Sequence, residues 1–120
     1  MALVQVSHAQ GRIPVTVFHL QDRVNLGNYT ALERIAQEQF EKEMRDLVID
    51  LSQTPSLTSI GIRALVVIHK MLATDGGRHL KLAGLNPPTR EMLEIAGITR
   101  SVEIHDTVEE AVASFFKPIE

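Results

Sequence analysis

The chain has 120 residues, of which 44% are apolar and 22% charged, with a formal net charge of −3 at pH 7. That length suits one domain, residues 1–120, with a single modest core, and the balance excludes a disordered chain. An acidic balance without a basic run gives no electrostatic footprint for nucleic acid or an anionic membrane, and a chain with no cysteine has no disulfides, thiolate catalysis or cysteine-based zinc site.

The start, Met1 to Val6, is too short and too soon polar for a signal peptide. No apolar run approaches the roughly 20 residues that a membrane span needs. The expected setting is therefore soluble and cytoplasmic. Leu3 to Ser7 and Ile13 to Leu20 read as strands, with His8-Ala9-Gln10-Gly11-Arg12 as a hairpin loop between them. In the second strand Val15, Val17 and His19 face one way, and Thr16, Phe18 and Leu20 the other.

From about Asn28 to Lys42 the period changes. Leu32, Ile35, Ala36 and Phe40 fall three and four apart, with Glu33, Arg34, Gln37, Glu38 and Glu41 opposite, as in an amphipathic helix. Leu47 to Leu51 is a short, almost wholly apolar run, the pattern of a strand covered on both faces. A polar connection over Ser52 to Thr58 leads into a second helix, from Ser59 to about Thr74, that stops before Asp75-Gly76-Gly77.

Leu80 to Ala83 reads as a strand. Asn86-Pro87-Pro88 opens a third helix that runs to Ala96 and ends at Gly97. Val102 to His105 is a short strand, and a last helix to about Phe116 is capped by Asp106 or Thr107. The order β-β-α-β-α-β-α-β-α predicts parallel strands joined by helical crossovers, with an antiparallel strand near the start.

Val48 to Ile62 carries the functional information, because ligand and partner sites in open α/β sheets lie beyond the carboxyl ends of the strands. At about 100° per residue, Ile62, Leu65, Val66, Ile68, His69 and Leu72 cover one side of the second helix. Ile60, Ala64, Val67 and Met71 widen that apolar arc and leave a narrow polar strip of Ser59, Arg63 and Lys70. Ser59 is thus expected exposed at the helix start, with Arg63 one turn on. A phosphate there would add about −1.5 to −2 charges where the free N–H groups and the helix dipole favour an anion. Ser56, Thr58 and Ser59 all compete for the simpler role of helix cap.

The strand ending Asp50-Leu51-Ser52, followed by Thr58-Ser59-Ile60-Gly61 and an apolar helix, resembles the STAS domain signature of anti-sigma factor antagonists. Leu20 to Leu32, Leu82 to Pro87, Met92 to Ile98 and Val102 to Ala111 continue the resemblance over almost the whole chain. It implies a STAS-like α/β domain, a mixed sheet of four to five strands with helices mainly on one face. It implies Ser59 as phosphoacceptor and Asn25, Thr58, Ser59, Ile60, Gly61 and Arg63 as partner-binding residues, Gly61 letting a neighbouring chain approach closely. The implied partner is an anti-sigma factor with serine-kinase activity, bound by the unphosphorylated domain and released on phosphorylation. Thr58 stands where the family usually has an acid, and Asn25 where many members have aspartate.

Alternatives in the same fold are a non-phosphorylated scaffold subunit of a signalling or transporter complex, and a small-molecule sensor. The five histidines, His8, His19, His69, His79 and His105, show no metal-ligand spacing. His69, on the buried arc, reads as a core histidine with a hydrogen-bonded partner. No acid follows the first strand, so Asp50 lacks the Mg²⁺ partners of a receiver domain. No catalytic motif is present at a known spacing, and neither enzymatic activity nor a cofactor is expected, although a site gathered from distant segments leaves no local mark.

Overall fold

The computed structural model describes residues 3–9, 14–54 and 57–116. Five strands form one sheet in the order β1-β2-β3-β4-β5: β1 (Val4–Ala9), β2 (Val15–Leu20), β3 (Asp46–Asp50), β4 (Leu80–Ala83) and β5 (Glu103–His105). β1 pairs antiparallel with β2, and every later neighbour is parallel. Four α-helices connect or follow them: α1 (Tyr29–Glu41), α2 (Ser59–Leu72), α3 (Pro87–Ile95) and α4 (Val108–Ser114). A 3₁₀ turn, Ile98–Arg100, precedes β5. The mixed α/β architecture read from the sequence is the one observed.

The alternation in β2 divides its side chains between two cores. Phe18 and Leu20 join Leu32, Leu47, Ile49, Leu65, Ile68 and Leu82 in the larger one, which also takes Leu93 from α3. Val15 and Val17 join Val48, Ala83 and Ala111 on the other face, under α4. Because β3 contributes to both, its continuous apolar run follows from burial on two sides.

Three local expectations change. β1 continues through His8 and Ala9 and β2 begins at Val15, so the connection is displaced along the chain from the expected His8 to Arg12; Gln10 to Arg12 of that loop, and Ile13 of the expected second strand, lie outside the described residues. Val67 is 42% exposed, outside the buried arc of α2, so the solvent strip of that helix is wider than the polar residues alone mark. His69 is half-buried instead of a core residue, and its Nδ1 is buried with no hydrogen-bond partner among the described residues. Burial, and then nearby Lys70, hold that imidazole below its ordinary pKa.

The chain-end chemistry of the helices is local. Thr58, Asn86 and Thr107 cap α2, α3 and α4 through side-chain oxygens that accept from Gly61, Thr89 and Glu110 N–H groups. The choice left open between Asp106 and Thr107 thus goes to Thr107. Asn28, at the cap position of α1, instead turns its side chain back into the preceding loop.

Candidate functional site

Three segments meet beyond the carboxyl ends of β2 and β3: the loop at residues 21–28, the described parts of the next connection at 50–54 and 57–58, and the first turn of α2. Thr58 holds them together. Its hydroxyl donates to the Val24 carbonyl at 2.6 Å and accepts from the Gly61 N–H at 3.0 Å. The buried Val24 side chain and Leu57 pack against Gly61, where an added Cβ would stand 3.4 Å from Val24 and 3.3 Å from Leu57. Gly61 is therefore buried, and the close approach it permits is to its own loop instead of to a neighbouring chain.

Asn25 folds the loop. Its side-chain oxygen accepts from the Gly27 N–H at 2.8 Å, while the Asn28 side chain accepts from the Asn25 N–H and donates to the Arg23 carbonyl. An Asx turn needs only a side-chain oxygen, so asparagine serves here without a charge. On the other side of the site Thr54 is buried and donates to the Leu20 carbonyl at 3.4 Å. No local pattern signals that link, since it joins residues 34 positions apart.

Asp50 anchors the strand end. Its carboxylate accepts from the Ser52 N–H at 2.9 Å and pairs with His19 at 2.8 Å. Burial pushes this carboxyl up, but the hydrogen bonds from His19 and Ser52 outweigh it and hold the group below its ordinary value.

On this base, the exposed surface is set by four α2 positions one turn apart. Ser59, Arg63, Val67 and Lys70 are all exposed, and Ile60 is half-buried. The Ser59 hydroxyl makes no hydrogen bond among the described residues, in contrast to its neighbour Thr58. Leu26, 76% exposed, projects from the loop, and a groove of about 340 Å³ runs between it, Tyr29, Glu33, Ile60, Arg63 and Val67. The structure thus brings Ile60 and Arg63 into one groove with Ser59 exposed next to Ile60, places Asn25 in a separate groove beside Arg23 and Gln53, keeps Thr58 as a tie and Gly61 inside, and adds Leu26, Tyr29 and Val67. The only sequence sign of these additions is an apolar leucine in a polar loop.

Among the described residues no histidines and acids converge as a metal site, and no helix is long and apolar enough to cross a membrane.

Comparison with known proteins is consistent along the chain. The STAS domain family model matches residues 6–111. A Bordetella bronchiseptica protein named "Putative anti-sigma factor antagonist BtrV" is 33% identical over 96 residues, covering 80% of this chain and 82% of the relative. Among solved structures, a Thermotoga maritima protein titled a "putative anti-sigma factor antagonist (tm1081)" superposes with a TM-score of 0.82 at 20% identity, covering 93% of this chain and 95% of that one. The Bacillus cell fate determinant SpoIIAA, solved in its phosphorylated form, gives 0.69 at 16% identity, covering 93% of this chain and 98% of that one. With this sheet order, this strand-to-helix turn and this match, the chain belongs to the STAS domain family, among the anti-sigma factor antagonists.

Proposed function

We propose that this chain is a phosphorylation-controlled antagonist of an anti-sigma factor that is itself a serine kinase. Unphosphorylated, it binds that cytoplasmic partner through the surface at the start of α2 and so frees a sigma factor. Phosphate on Ser59 weakens the complex. The observation that carries this reading is the state of Ser59: exposed, on the first turn of a 14-residue helix, with its hydroxyl unengaged among the described residues and next to Ile60 of the groove.

The physical case has two parts. A phosphate at a helix N-terminus meets the dipole and free N–H groups favourably, and Arg63 stands exposed one turn away. The domain therefore tolerates the modification. A partner seated on the apolar groove must instead desolvate a doubly charged group at the rim of its contact, which costs binding. The partner supplies ATP and Mg²⁺, and this chain is the substrate. That SpoIIAA, of the same fold, has been solved phosphorylated supports the reading.

The test is to incubate the chain with a serine-kinase anti-sigma factor of the same host, ATP and Mg²⁺, then map phosphate and measure affinity by calorimetry. One phosphate on Ser59 is expected. Ser59→Ala should bind like wild type and take no phosphate, and Ser59→Asp should bind at least about tenfold more weakly, or roughly 1.4 kcal/mol. Equal affinity of Ser59→Asp and wild type would sink the switch.

A further inference from the structure

A second serine lies in a different chemical setting, on the sheet face that carries α4. His19 on β2 stands directly opposite Asp50 on β3, and Ser7 on β1 is its diagonal neighbour on the same face, two residues along from Gln5, which pairs with His19. His19 Nδ1 is 2.8 Å from Asp50 Oδ2, and Ser7 Oγ is 3.0 Å from His19 Nε2. In the neutral ring, the tautomer that donates Nδ1–H to the carboxylate presents Nε2 as an acceptor, and the Ser7 hydroxyl then donates to it. This is the connectivity of a nucleophile, a base and the group that orients the base.

The orienting group is itself fixed. Asp50 is held by the Ser52 N–H, and Gly84 presses against it with φ +74°, where an added Cβ would lie 3.0 Å from Oδ1. Hydrogen bonds to the carboxylate favour its charged form, which is the form that orients an imidazole.

Space for a substrate adjoins the serine. A groove of about 370 Å³ between the β1–β2 ribbon and α4 is lined by Ser7 and His19, by the apolar Ala9, Val17, Val108 and Val112, and by Glu109. A bond from the Gln21 N–H to the Leu3 carbonyl fixes the parity of the β1–β2 ladder. By that parity the His8 N–H points out from the open edge of β1, beside the groove, as a donor for a developing oxyanion.

We propose that Ser7 is an acyl-accepting nucleophile, activated by His19 and oriented through Asp50, that takes a short unbranched acyl group from an activated ester. Ser7 Oγ forms a bond to the acyl carbon as the ester C–O bond breaks. The hydroxyl proton passes to His19 Nε2 and then to the departing alkoxide. The products are an acyl-Ser7 ester and an alcohol, and the acyl chain lies in the apolar groove. This site is independent of Ser59 and its partner.

The experiment follows p-nitrophenolate release from p-nitrophenyl butyrate and p-nitrophenyl acetate, with intact mass and peptide mapping. One acyl group per chain on Ser7 is expected, with butyrate favoured over acetate relative to free imidazole. Ser7→Ala should lose the adduct, Ser7→Cys should accept the acyl group as a thioester, and His19→Gln should slow acylation at least about tenfold. Melting curves check that each variant is folded. Because Ser7 is exposed on an edge strand, its variants suffice if a change at His19 unfolds the chain. Acylation confined to lysines or to His19, or a Ser7→Ala chain that reacts like wild type, overturns the proposal.

Discussion

Thr58 and Ser59 are adjacent hydroxyl residues with opposite fates, and their difference is a matter of hydrogen-bond geometry. Thr58 spends its proton on the Val24 carbonyl and its lone pair on the Gly61 N–H. Ser59, one residue into the helix, has a helical backbone and an outward side chain. Thr58→Ala removes both bonds and leaves the Val24 carbonyl and a helix N–H unsatisfied. It is expected to cost about 1–2 kcal/mol in chemical denaturation, while Thr58→Ser retains most of that stability. Loss of affinity in a still-folded Thr58→Ala chain would show that the tie also positions the loop carrying Leu26.

At the scale of elements, two polar clusters hold the sheet where apolar packing alone does not. At the amino ends of β3 and β4, His79 bridges Asp46 at 2.8 Å and Asp75 at 2.9 Å. The Asp46 hydrogen bond, opposed by burial and helped by Asp75, raises the imidazole above its ordinary value. A group with a raised folded pKa stabilises fully below its unfolded value and loses that contribution as pH rises through the folded one. The melting-temperature gap between wild type and His79→Gln should therefore be wider at about pH 6 than at about pH 8.5. Under α4, Lys81 is 5% exposed, with its ammonium 2.6 Å from Ser114 Oγ, 3.4 Å from Glu103 and 4.2 Å from the Phe115 ring centre. Lys81→Ala removes both the charge contacts and the packing of the stem. A loss of about 2 kcal/mol is expected by denaturation, with amide exchange speeding up first in α4.

For the whole molecule, the arrangement separates stability from signalling. The larger core lies between the sheet and α1, α2 and α3, while Ser59 sits at its rim with an exposed side chain. A charge there touches no buried contact. Ser59→Asp is accordingly expected to shift the melting temperature by no more than about 2–4 °C, in either direction, even where it weakens partner binding. A large fall in melting temperature would mean that the modification acts by unfolding the domain instead of by altering its surface.

Periodicity and breakers determined most of the architecture. The three- and four-residue spacing of Leu32, Ile35, Ala36 and Phe40, the alternation of Val15 to Leu20, and Gly97 after the third helix are short-range signals, and the observed elements follow them closely. The strip that exposes Ser59 and Arg63 was legible for the same reason, since helical geometry acts within a few residues. Val67 departs from the apolar arc because its exposure depends on what lies across from it: an apolar residue beside Leu26 reads as core until the loop is in position. His69 falls on the buried arc by spacing, but its half-burial and the lack of a partner for its Nδ1 among the described residues depend on neighbours from the α3–β5 connection. Ser7, His19 and Asp50 are 12 and 31 residues apart, and only strand pairing brings them into line. Sequence patterns report a residue's own element and face. Register and packing between distant elements decide which polar groups meet, and that was left to the tertiary structure.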